Sequence, residues 1–251
     1  MKLNEPRPIV ILKTRDPSRC VDCDVRDRSV CSALETPDLQ RLADVAVRRQ
    51  VEKGRVFIEE GEPAADFFNI TSGTVKLFKT LPDGRQQVTG FAGIGHFLGL
   101  AVSQNYAFSA QAIEKVELCR FSRPKLRTLL HDFPALEQRL LETACNELVA
   151  AQEQMLLLGR KTARERVASF LMARLDDAIN CEGATDTVEL PMTRAEIADY
   201  LGLTIETISR TFSKLKAENK ITTPNRDAVV ILDPKWLASV AAGQDSMECL
   251  A

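Results

Sequence analysis

The chain has 251 residues, 45% apolar and 27% charged, with a formal net charge of −2, the profile of a globular protein with room for one or two buried cores. Its longest apolar run near the start, Ile9-Val10-Ile11-Leu12, is too short for a signal-peptide core, and no later run approaches the ~20 apolar residues of a membrane span. A cytoplasmic protein with no membrane partner is expected, and in that reducing compartment an odd count of seven cysteines favours metal or redox use over disulfides.

Residues 1–19 hold Pro6, Pro8 and Pro17 among mixed charges and read as a loose arm. The stretch CVDCDVRDRSVC follows, with Cys20, Cys23 and Cys31 inside twelve positions. Three thiols are one short of a closed four-ligand site. A short helix is expected next, with Thr36 as cap, Pro37 at its first position and Leu39, Leu42 and Val45 at helical spacing.

From Val51 to Phe121 short β-prone runs are separated by turn signals at Gly54, Gly61, Ser72-Gly73 and Asp83-Gly84. That rhythm predicts an antiparallel roll over 36–133, with a hairpin at Pro82-Asp83-Gly84. A roll of this kind also suits a histidine-lined metalloenzyme. The chain has only His96 and His131, the second beyond the roll, and no Ser/His/Asp or paired-carboxylate arrangement; no enzyme is expected.

Across 134–161, Leu141, Ala144, Leu148, Ala151, Met155 and Leu158 recur at alternating spacings of three and four. This is a narrow helical seam, suited to a second copy of the chain, although a helix packed on its own domain would also show an apolar stripe. Residues 162–240 read as a helical domain. Thr193 and Glu196 form a capping box, Gly202 falls in a turn, Thr204 caps the next helix, and Ile197, Leu201, Leu203 and Ile208 supply packing between the two. The second helix then presents Glu206, Ser209 and Arg210 on one face of its first turns, with side chains suited to base edges. Between Thr204 and Arg226 five Lys or Arg stand against two Glu, a local basic patch for a phosphate backbone in a net acidic chain. The segment after this helix reads as a small hairpin with its tip at 224–227, a wing. The final residues, 241–251, form a tail.

This order, an α+β chain of β-roll, long dimer helix and winged helix-turn-helix, resembles the CRP/FNR superfamily of bacterial transcription regulators. Residues 20–235 carry the resemblance, and LGLTIETISR is similar to the FNR branch with its E-x-x-S-R reading motif. The resemblance implies double-stranded promoter DNA as partner, a homodimer, and Glu206, Ser209 and Arg210 on half-sites of the TTGAT…ATCAA type. It further implies a [4Fe-4S] cluster held by Cys20, Cys23, Cys31 and Cys119, the last in VELCRF at the end of the roll, giving oxygen-responsive control of anaerobic or microaerobic genes. The spacing C-x2-C-x7-C departs from the common C-x2-C-x5-C but occurs in FnrN/FnrL-type members. A structural zinc, redox-sensing free thiols, and a cluster-free FixK-like regulator are the alternatives. Cyclic-nucleotide binders of the superfamily carry a Gly-Glu and an Arg-Ser/Thr pair; GHFLGL and NYAFSAQA lack the Glu and the Arg, so no cyclic nucleotide is expected. The family's equivalent of the hairpin tip touches RNA polymerase, which would make Pro82, Asp83 and Arg85 contacts. Cys145, Cys181 and Cys249 read as incidental thiols.

Overall fold

The computed structural model describes residues 18–100, 104–183 and 185–244. The arm at 1–17, the side chain of Cys181 and the tail residues 245–251 with Cys249 lie outside the described residues. The chain divides into two compact units, Met1–Leu148 and Val149–Ala251. No described helix is long and apolar enough to cross a membrane.

In the first unit, α1 (Ser18–Val21), two 3-10 turns (Arg26–Arg28 and Val30–Ala33) and α2 (Leu39–Val45) precede the roll. Eight strands then follow: β1 (Ala46–Val51), β2 (Val56–Ile58), β3 (Asp66–Ser72), β4 (Val75–Thr80), β5 (Gln86–Ala92), β6 (Phe97–Leu98), β7 (Ser109–Ala112) and β8 (Val116–Ser122). They build two four-stranded sheets, ordered β1-β8-β3-β6 and β2-β7-β4-β5, the roll the glycine rhythm predicted. Residues alternate across each strand, so Val116 and Leu118 of β8 join Phe68, Ile70, Val75 and Ala110 in the core between the sheets. Cys119 and Phe121 face the opposite way. There they meet Phe67, Phe97, Val30, Leu34, Leu39, Leu42, and Leu126 and Leu129 of α3 (Arg123–Asp132). The β1-β8-β3-β6 sheet is thus covered on both faces, once by its partner sheet and once by the cysteine segment and helices.

The cysteine segment, for which the sequence predicts no regular element, is folded against the roll. Val25, Val30 and Leu34 are buried. The Arg26 guanidinium donates to the Leu34 carbonyl at 2.8 Å and to Thr36 Oγ1 at 3.4 Å, so Thr36 serves this brace and α2 starts three residues later, at Leu39. Gly95, with φ +87°, lies under the segment: a Cβ there would stand 2.6 Å from the Arg28 carbonyl oxygen.

The helix α4 (Pro134–Arg160) spans 27 residues. In the second unit α5 (Ala163–Glu182) opens on a capping box of Thr162 and Glu165. A small sheet of β9 (Thr187–Glu189), β10 (Ile221–Thr222) and β11 (Ala228–Ile231), ordered β10-β11-β9, encloses α6 (Arg194–Leu201) and α7 (Ile205–Ala217), with α8 (Pro234–Ala241) last. The hairpin of the wing was legible in the sequence; β9, which completes its sheet, was not.

Candidate nucleic-acid interface and thiol site

The α6–α7 pair is set by its caps. Thr193 Oγ1 accepts from the Glu196 amide at 3.2 Å and the Thr193 amide donates to Glu196 Oε2 at 2.8 Å, closing both ends of the capping box. Gly202 ends α6 in the left-handed region with φ +60°, where a side chain is strained and its Cβ would also press on Leu158 Cδ2 at 3.1 Å. Thr204 then accepts from the Thr207 amide at 3.2 Å and starts α7. Ile208, Phe212 and Leu215 of α7 are buried, which fixes the helix's rotation. That rotation leaves Glu206, Ser209 and Arg210 together on the exposed face.

Hydrogen bonds at the helix start, with Arg210 one turn on, hold the Glu206 carboxyl below its ordinary range, so it stands as an acceptor at neutral pH. Alongside lies a concave recess of about 350 Å³ lined by Thr162, Ala163, Arg164, Thr207, Arg210 and Lys214, among others. Sequence reading missed the α5 contribution: the Thr162/Glu165 capping box was the available signal, and only the fold brings it beside α7. Arg164 is held there by a bidentate pair with Glu218, at 2.9 and 2.6 Å, and lies 4.9 Å over the Trp236 ring.

Along α4 the predicted seam residues Leu141, Ala144, Leu148, Ala151 and Met155 are exposed, with Leu141 and Met155 each at 65%. The seam's large members, Leu141, Leu148 and Met155, are apolar side chains left in water. Leu158 leaves the row: it is half-buried, against Gly202, and its carbonyl accepts from Arg166 at 2.8 Å. At the β4–β5 tip, Pro82, Asp83 and Arg85 are exposed, and Arg85 Nε donates to Asp83 at 2.8 Å, holding that carboxyl low.

Cys20, Cys31 and Cys119 share one apolar cluster beneath the folded segment, and Cys23 is half-buried next to it. Burial pushes the Cys119 thiol up to about 12, with Cys31, Cys20 and Cys23 adding to the rise and Arg48 opposing it. Burial likewise pushes Cys31 up to about 11, opposed by the Ser29 hydroxyl and reinforced by Cys20 and Cys23. Cys20 rises for the same reasons. All four thiols therefore lie within each other's electrostatic reach. Even so, among the described residues no group of three or more His, Cys, Asp or Glu side chains is placed to hold a metal ion. The donor set itself, four cysteines in a largely apolar shell, fits an iron–sulfur cluster or zinc. Cys145 is exposed on α4. In the roll, Phe108 packs against the core and Ser109 Oγ accepts from the Glu60 amide at 3.0 Å.

A β-roll followed by a capped helix-turn-helix with a wing defines a DNA-binding regulator rather than an enzyme. The Crp-like helix-turn-helix domain matches residues 165–240 and the cyclic nucleotide-binding domain residues 48–133. The nitrogen fixation regulation protein FixK of Bradyrhizobium diazoefficiens is 39% identical over 236 residues, covering 94% of this chain and 99% of its own. The transcriptional activator protein FnrL of Cereibacter sphaeroides is 38% identical, covering 91% and 93%. The structure of FixK2 from Bradyrhizobium japonicum superposes with a TM-score of 0.73 at 32% identity, covering 78% of this chain and 97% of that one. The chain belongs to the CRP/FNR family of transcription regulators.

Proposed function

We propose that the protein is an oxygen-responsive transcription activator of anaerobic or microaerobic genes. It acts as a homodimer on TTGAT…ATCAA-type promoter sites, with RNA polymerase as partner at Pro82, Asp83 and Arg85, and without a cyclic nucleotide. The observation that carries this reading is the folded cysteine segment, which brings Cys20, Cys23 and Cys31 to Cys119 on β8. A [4Fe-4S] cluster on these four residues would supply an oxygen-labile, redox-active centre. In DNA binding, Arg210 offers two donors to a guanine edge, Glu206 accepts from a cytosine amino group, and Ser209 adapts. Lys214 and Arg164 line the adjoining recess, where a phosphate would pass. The two reading helices of a dimer joined along Leu141, Ala144, Leu148, Ala151 and Met155, with Leu158 at its margin, would enter successive major grooves.

The second reading is a cluster-free regulator of the FixK kind, with idle, zinc-bound or redox-sensing thiols. The similarity to FixK favours it. Anaerobic purification with iron and sulfide analysis decides. About four irons per chain, a colour that bleaches in air, and iron loss in Cys119→Ser support the sensor. A colourless protein, with zinc or with no metal, overturns it and leaves the DNA-binding half standing.

A further inference from the structure

Strand register sets Asn69 and Arg48 on either side of Cys119 across the outer face of the β1-β8-β3-β6 sheet. Asn69 of β3 pairs with Cys119 of β8, Cys119 pairs with Arg48 of β1, and Phe97 of β6 continues the row beyond Asn69. Directly opposed residues send their side chains to the same face, within about 5.5 Å at Cβ. This is the face that the cysteine segment covers. Asn69 is only 2% exposed, and among the described residues its Oδ1 is buried with no hydrogen-bond partner.

Its strand neighbours Phe67, Phe68 and Ile70 are apolar and buried, so packing alone would be served by a leucine or valine here. An orphaned buried amide oxygen is costly and calls for a cause. The feature beside it is sulfur. A metal-ligated cysteine sulfur only accepts hydrogen bonds, while an asparagine carries an acceptor on one side and two N–H donors on the other. Turning the amide over exchanges two groups of nearly equal size and disturbs no packing.

We propose that Asn69 is a positioning residue of the thiol site, its Nδ2 donating to Cys119 Sγ when that sulfur is a metal ligand; this rests on the sensor reading given above. A donor at this sulfur draws charge from it, fixes its direction, and raises the reduction potential of a bound cluster. Arg48 flanks the same cysteine from β1 and adds positive charge to the other side of the row.

The test uses the full chain as wild type, Asn69→Leu, which fills the space, and Asn69→Ala, which vacates it. Iron and sulfide are counted after anaerobic assembly. The midpoint potential and the deuterium-sensitive shift of the Fe–S(Cys) Raman band are then read. Separately, Co²⁺ is titrated into the reduced, metal-free chain and followed by its sulfur-to-cobalt absorption. Both variants are expected to keep their iron, move to a more negative potential, lose part of the deuterium shift, and bind Co²⁺ about 10-fold more weakly. Unchanged potential, Raman shift and Co²⁺ affinity in both, with wild-type iron content, overturn the role of Asn69 alone. A wild type that binds Co²⁺ through sulfur but assembles no cluster overturns the sensor reading, and the 10-fold difference then decides Asn69 by itself. A wild type that takes neither metal overturns both. Agreement between Leu and Ala separates the hydrogen bond from packing, and if Asn69→Leu fails to fold, Asn69→Ala carries the comparison.

Discussion

Cys31 and Cys119 carry thiols pushed up to about 11 and about 12, chiefly by burial. Two consequences follow for the metal-free chain. At neutral pH these thiols are protonated, so loading a metal must release their protons. Metal affinity should therefore rise with pH, and calorimetry of Co²⁺ binding in buffers of different ionisation enthalpy should register protons released to the buffer. The second consequence concerns stability. A thiol whose folded pKa lies above its unfolded value of 9.0 keeps its proton when the unfolded chain has lost it. Folding stability is then intact below about pH 9 and falls as pH rises from 9 towards 12. Urea unfolding of metal-free protein should show that decline, and Cys119→Ala should flatten it. At the DNA face, the base-facing and phosphate-facing residues separate by measurement. Arg210→Ala should cost about 1–3 kcal/mol and relax discrimination at one base pair, whereas Lys214→Ala should weaken all sequences alike and lower the salt slope by about 1. A Lys214→Ala variant that changed base preference would place α7 differently in the groove.

Among the elements, the cysteine segment depends on its seat. Gly95 combines φ +87° with a backbone carbonyl, that of Arg28, where a Cβ would need to be. Gly95→Ala should destabilise the first unit by about 1–3 kcal/mol and expose Arg26–Arg28 to trypsin before the roll itself is cut; a protection pattern like that of wild type would refute the seat. None of this seat was legible in the sequence. Residues 20–31 show neither a period of 2 nor one of 3.6, and what orders them is a guanidinium brace and a glycine far along the chain. Asn69 was equally hidden, since in DFFNITS it is one polar residue in a strand, and only register sets it opposite Cys119. The elements that were legible carry their signals locally: Asp83-Gly84 at the β4–β5 turn, the Thr193/Glu196 box, Gly202 and the Thr204 cap. The exposed apolar row of α4 was legible in its spacing as far as Met155. Leu158 keeps the spacing but is drawn out of the row by the turn at Gly202, a contact no periodicity reveals.

At the scale of the whole molecule, one chain joins a thiol-bearing roll to a DNA-reading domain through 27 residues of α4. That helix exposes Leu141, Leu148 and Met155 at 60–65%, a surface that a second copy would cover. Leu148→Glu places a carboxylate in the middle of that row. Burying it unpaired costs about 3 kcal/mol, which converts to about 100-fold weaker self-association. Loss of the dimer also divides the DNA contacts between separate molecules, because each monomer reads one half-site. Sedimentation should show Leu148→Glu as a monomer, and its affinity for a two-half-site duplex should fall to that of wild type for a single half-site. The same duplex then tests the coupling between thiols and DNA. If the four cysteines govern the dimer, wild-type affinity should drop on exposure to air, and a Cys119→Ser chain prepared without oxygen should already bind as weakly as the air-exposed wild type. Leu148→Glu should bind weakly under both atmospheres. An affinity indifferent to air and to Cys119→Ser, but still lost in Leu148→Glu, would keep the dimer seam and separate it from the thiols, as expected of a regulator controlled by its abundance.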